Sequence, residues 1–156
     1  MSRPFLGRFK TVPLTLYRPQ SSKKVALRDR DVQKRLGRSA YDVVLKEGLP
    51  ASNNSFLGPN GMSLRPLGLN FAEILTTFNA KSTHVYQINK GISLPDTLVI
   101  LHEHTDHYSL QCDVPMTLQE LNSLLTHWLL HNCKSTPLLQ FQQDHPIDDI
   151  ITGKFE

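Results

Sequence analysis

The chain has 156 residues, 39% of them hydrophobic, enough for one domain with a sizeable core, and its longest apolar run is too short to span a bilayer. Its two cysteines, Cys112 and Cys133, lack the spacing of a metal or redox motif and read as buried hydrophobes in a reducing compartment. The net charge of +3 hides an imbalance: residues 1–28 carry seven Lys or Arg and no acid, whereas residues 101–156 carry eight acids and two Lys. A basic start of this kind either attracts an anion (nucleic acid, an anionic membrane, a phosphate-bearing ligand) or is a solvated arm. No hydrophobic leader opens the chain, and Pro4 and Gly7 spoil a presequence helix, so a cytoplasmic location is expected, with delivery by a secretion system left open.

In chain order, Val12–Arg18 alternates apolar and polar residues and predicts a strand. Asp29 to Glu47 predicts a helix, with Val32, Leu36, Ala40, Val43 and Val44 at near-helical spacing, Asp29 or Asp31 as cap and Gly48 as terminator. Residues 49–60 read as a loop, and Gly61–Arg65 as a short strand stopped by Pro66. Asn70 with Glu73 predicts a capped helix burying Phe71, Ile74, Leu75 and Phe78. Strands follow at Thr83–Ile88, Thr97–Glu103 and His107–Cys112, the first two separated by a turn at Asn89–Gly91. Thr117 and Glu120 form a capping box for a last helix with Leu118, Leu121, Leu125, Trp128 and Leu129 on one face. The tail from Ser135 has a weak pattern. Helices and strands mix without strict alternation, so the expected class is α+β in one domain, with a basic N-terminal arm and a polar C-terminal tail.

The stretch Leu98–Cys112 concentrates the candidate chemistry: His102, Glu103, His104, Asp106 and His107 follow a run of four apolar residues. One reading is a zinc hydrolase, in which neutral imidazoles and carboxylates hold a metal that deprotonates water. The spelling is similar to the first motif of the metallo-β-lactamase superfamily. That superfamily needs further His and Asp ligands spread over a long stretch, and the histidines that follow here are only His127, His131 and His145. The other reading puts one or two polar side chains of a strand pair into a ligand cleft. Strand alternation sets Glu103 on the face opposite His102 and His104. Elsewhere, Arg18 ends a strand as a candidate pyrophosphate holder, and Gly61 leads a short strand in which Ser63 offers a hydroxyl.

LTLYR at 14–18, GPNGMSLRP at 58–66 and the block GISLPDTLVILHEHTDHYSLQCDVPMTLQELN at 91–122 resemble the type VI secretion effector toxins of the Tse kind, with their eukaryotic, largely fungal, relatives. The resemblance covers about residues 12–132 and implies an ADP-ribosyltransferase-like fold, a split, twisted β core with peripheral helices around an NAD-binding cleft. By position it implies Tyr17, Arg18, Gly61, Met62, Ser63, Asn70 and Tyr108 as NAD-binding residues, and His107 and Glu103 as catalytic ones. Bacterial members have a Thr-Ser pair where Leu69-Asn70 stands here, and the late-strand glutamate of many ADP-ribosyltransferases has Glu103 as its one well-placed equivalent.

The reaction so implied is cleavage of the nicotinamide–ribose bond of NAD, with ADP-ribose passing to an unidentified acceptor or to water. Its transition state is oxocarbenium-like. Glu103 would stabilise that cation or activate the acceptor, His107 would act as base or bond the ribose, Arg18 would neutralise the pyrophosphate, and Tyr17 or Tyr108 would stack on nicotinamide. The resemblance also implies a cognate immunity protein as partner, and the lack of an apolar run long enough to span a bilayer implies no membrane partner. A non-catalytic interaction module on the same fold, and nucleic-acid binding through the basic third, are the remaining readings.

Overall fold

The structure, a computed structural model, describes residues 3–50, 55–56 and 58–154. The strands are β1 (Arg3–Pro4), β2 (Gly7–Phe9), β3 (Leu16–Gln20), β4 (Leu45–Lys46), β5 (Leu49–Pro50), β6 (Ser55–Phe56), β7 (Met62–Leu64), β8 (His84–Ile88), β9 (Leu98–His104), β10 (His107–Cys112) and β11 (Lys134–Pro137). The helices are α1 (Arg30–Arg35), α2 (Leu69–Leu75), α3 (Leu118–Asn132), α4 (Leu138–Asp144) and α5 (Ile147–Thr152).

Two antiparallel sheets carry the α+β fold. One has the order β2-β9-β10-β7 and the other β11-β8-β3. Among the described residues their backbones are joined by the isolated bridge Tyr17 to Arg65, closed by Tyr17 N–H to Arg65 O at 2.7 Å and Arg65 N–H to Tyr17 O at 3.1 Å. β3 and β7 diverge from that bridge, and the gap they leave is where a cleft opens. Pro19 is tolerated in β3 because its nitrogen shares the parity of the Tyr17 N–H, on the edge away from β8.

Alternation along the strands divides the interior into two clusters. Met62, Leu64, Leu98, Ile100, Leu110 and Ile88 pack with Leu121, Leu125, Trp128 and Leu129 of α3. Tyr17 and Val85 face the other way, into Phe71, Leu75, Leu138, Phe141 and Ile150. α3 begins at the capping box foreseen in the sequence: Glu120 N–H donates to Thr117 Oγ1 at 3.1 Å and Thr117 N–H to Glu120 Oε1 at 3.2 Å. Replacing Thr117 by alanine is expected to cost about 1 kcal/mol, read as a fall in melting temperature of roughly 2–4 °C with NAD affinity unchanged.

Several sequence expectations are corrected. β3 starts at Leu16 rather than Val12 and continues two residues past Arg18. The helix expected over Asp29–Glu47 stops at Arg35, because Gly37 at φ 72° reverses the chain. Asp29 does cap it, but Val43 bridges back to Asp29 instead of lying on a helical face. Gly48 ends no helix; Glu47 (φ 53°) and Gly48 (φ 79°) make the two-residue turn of the β4–β5 hairpin. The loop expected over 49–60 contains β5 and β6, and its residues 51–54 and 57 lie outside the described residues. Gly68, not Asn70, is the N-cap of α2. The tail forms β11, α4 and α5, the two helices each starting behind a proline, Pro137 and Pro146. Part of the basic start is structured as well: β2 pairs with β9, and Arg8 and Lys10 both bind Asp113. Hydrogen bonds from Arg8 and then Lys10, opposed by partial burial, hold the Asp113 carboxyl below the usual carboxylate range.

Candidate active site

A cavity of about 390 Å³ occupies the split between β3 and β7, within the usual range for small-molecule sites. One side is cationic: Arg18, Lys24, Arg28 and Arg65 line it, with Asp42 as the one acid among the lining residues. Asp42 is taken up by Arg28, which donates from Nε to Oδ2 at 2.9 Å and from the guanidinium to Oδ1 at 3.0 Å. The paired carboxylate raises the Arg28 pKa, its hydrogen bond outweighing burial. The opposite side is apolar, built from Phe71, Ile74 and Phe78 around α2.

Arg18 makes no ion pair among the described residues. Its guanidinium donates to Gln20 Oε1 at 2.9 Å and to the Ser63 carbonyl at 3.2 Å. Burial pushes its pKa down to about 10, with Asp42 opposing and Arg28 adding to the drop. It remains cationic at neutral pH, a half-buried charge without a carboxylate partner. That is what an anionic ligand requires, since burying the charge is costly unless something compensates it.

Behind the cleft wall, three side chains line up. Ser63 Oγ lies 3.1 Å from His107 Nε2, and His107 Nδ1 lies 3.1 Å from Glu103 Oε1. The second contact is at ion-pair distance but off the line of a hydrogen bond, and neither Glu103 Oε1 nor His107 Nδ1 has a hydrogen-bond partner among the described residues. Glu103 is 2% exposed and His107 7%. A carboxyl beside Nδ1 favours the proton there and leaves Nε2 to accept from the Ser63 hydroxyl.

Local structure explains why they meet. In the β9–β10 ladder His107 faces His104 while Tyr108 faces His102, so Glu103 is the extra residue of a β-bulge. Thr105, at the hairpin tip, sits at φ 41°, strained for a β-branched residue. His102 Nε2 against the Thr105 carbonyl (2.6 Å) and His104 Nδ1 against Thr105 Oγ1 (3.0 Å) hold it there. Asp106 then receives Arg65 at 2.9 Å and Asn70 at 3.0 Å, tying the hairpin tip to β7 and α2.

Of the residues singled out from sequence, Arg18 and Ser63 meet at the cleft, and His107 and Glu103 stand behind Ser63. Tyr17 also lines the cleft, with its ring packed against Phe71 (centroids 5.5 Å) and Phe141 (6.3 Å). The others lie apart. Met62 is in the core, Tyr108 stacks on His102 at 4.1 Å, and Asn70 reaches Asp106. Gly61 packs its backbone against Leu110 and Gln111. Lys24, Arg28 and Asp42 carry no signal of a site in the sequence, because a basic stretch and a lone acid look like solvated surface, and Phe78 reads there only as part of a buried helix face.

Among the described residues no three His, Cys, Asp or Glu side chains converge to hold a metal ion. His127 and His131 stack on each other on α3. Burial pushes the Cys133 thiol up to about 12 and raises Cys112 as well, which makes both poor nucleophiles. No described helix is long and apolar enough to cross a membrane. No curated protein and no solved structure matches the chain. The resemblance to the Tse kind implied a split β core with peripheral helices, and two antiparallel sheets with helices around them are what the structure has. The family model described as Tse2 ADP-ribosyltransferase toxin matches residues 14–141, and the chain belongs to that family.

Proposed function

We propose that the cleft between β3 and β7 binds NAD and that the chain cleaves its nicotinamide–ribose bond, passing ADP-ribose to an acceptor or to water. The observation that carries this is Arg18, a half-buried cation without a carboxylate partner among the described residues, hydrogen-bonded to the Ser63 carbonyl. It would hold the pyrophosphate, with Lys24 and Arg28 adding positive field, while Phe78 and Ile74 offer an apolar surface to a base or the nicotinamide ring.

His107 takes the role of base, reaching the cleft through Ser63. Glu103 stands behind His107 and does not line the cavity, so it acts on the imidazole rather than on the ribose cation. Membership in a toxin family supports an immunity protein as a further partner. A zinc hydrolase is less well supported, since His102 is occupied by Thr105 and Tyr108 while His107 faces Ser63 and Glu103.

Arg18→Ala is expected to weaken NAD binding roughly 10- to 100-fold, the 1.5–3 kcal/mol of a charge-assisted hydrogen bond, with little change in melting temperature. Calorimetric titration with NAD, with and without a chelator, checks this. Equal affinity in the variant and the parent, or binding abolished by the chelator, would contradict the proposal.

A further inference from the structure

An ADP-ribosyl transfer site needs an acceptor that is activated where the ribose sits, and this cleft presents one group suited to that. Its single carboxylate among the described lining residues, Asp42, is held by both arms of Arg28. Glu103 and His107, at 2% and 7% exposure, are too deep to meet the substrate directly. The chain Glu103–His107–Ser63 ends on a residue that lines the cleft, and its two contacts are both 3.1 Å.

That order of carboxyl, imidazole and hydroxyl is the arrangement that activates a serine. The hydroxyl sits on a paired strand, Ser63 opposite Ser109, so its position is fixed by the ladder. The adjacent Ser63 carbonyl is bonded by Arg18, so a pyrophosphate held by Arg18 lies near the hydroxyl. Glu103 Oε1 and His107 Nδ1 stand 3.1 Å apart, at ion-pair distance, and neither has a hydrogen-bond partner among the described residues.

We infer that Ser63 is a nucleophile of this site and takes ADP-ribose onto its own hydroxyl, an inference that rests on the NAD reading above. In this step Ser63 Oγ bonds to the ribose C1′ as the C1′–N bond to nicotinamide breaks. The electron pair of that bond leaves on nicotinamide and neutralises its pyridinium charge. The Ser63 proton passes to His107 Nε2 and from there to solvent, and no other reactant is consumed. Glu103 is a positioning residue that holds the imidazole. The product is an acetal, chemically distinct from the ester that a carboxylate acceptor would give.

The test incubates the full chain with NAD and follows nicotinamide release, intact mass and the modified peptide. The expected result is a mass gain of one ADP-ribose on Ser63, stable to hydroxylamine and absent from Ser63→Ala. In Glu103→Gln the modification should slow by at least about 10-fold at saturating NAD, with NAD affinity unchanged, a separation that mere loss of folding would not give. Nicotinamide release with Ser63 unmodified, or a hydroxylamine-labile adduct elsewhere, would overturn the inference and leave the NAD reading standing. So would undiminished modification in Glu103→Gln. Absence of release would overturn the NAD reading, and this inference with it.

Discussion

Replacing His107 by alanine is expected to lower NAD cleavage by roughly 100- to 10,000-fold, the range of a positioned general base, with NAD affinity nearly unchanged. The reason is geometric. Among the described residues His107 is the one group that touches both Ser63 Oγ and Glu103 Oε1, so its removal cuts the proton path at its centre while leaving Arg18 and the cationic wall in place. The variant also strands Glu103, buried at 2% exposure, without its neighbour. Leaving a buried carboxyl without its neighbour costs a few kcal/mol of stability. The double variant His107→Ala/Glu103→Gln separates the two effects: it should regain melting temperature and remain inactive. Nicotinamide release and thermal melts on both proteins check this, and a single variant keeping more than about a tenth of parent activity would contradict the assigned role.

The second large effect is structural and comes from Gly61→Ala. Gly61 has φ 140°, a backbone region costly for any L side chain, and a Cβ there would lie 2.8 Å from the Leu110 carbonyl oxygen and 2.8 Å from Gln111 Cγ. Strain and overpacking together are expected to cost about 3 kcal/mol, a fall of roughly 10 °C in melting temperature. Relief requires β7 to move away from β10, and β7 carries Ser63. Activity should therefore fall by more than the loss of folded protein explains, measured as nicotinamide release per folded molecule well below the melting transition. A melting temperature within a degree or two of the parent would refute the packing argument.

Some of this was legible in the sequence and some was not, for reasons that differ by element. β10 matches its expected limits because His107–Cys112 alternates polar and apolar residues. α3 matches because a capping box and an apolar stripe agree. The run from Leu36 to Val44 misled because apolar residues at near-helical spacing arose by coincidence. Gly37 turns the chain, and Val43 anchors a bridge instead. The two C-terminal helices are each under two turns long, too short for periodicity to register. At the site, alternation set Glu103 apart from His102 and His104, but alternation alone does not show the bulge that makes Glu103 the extra residue. Ser63 and His107 are 44 positions apart, and their meeting depends on the β7–β10 register, which no local pattern encodes. The family match over 14–141 begins within two residues of the start of the sequence resemblance and reaches further, into α4.

Nicotinamide release from NAD by the purified chain in the presence of a chelator tests the NAD chemistry of this cleft most directly. The expected result is release that survives the chelator and drops in the Arg18→Ala and His107→Ala variants. Release abolished by the chelator, or none from a folded chain that carries stoichiometric zinc, would contradict it and return the chemistry to the histidines of the hairpin.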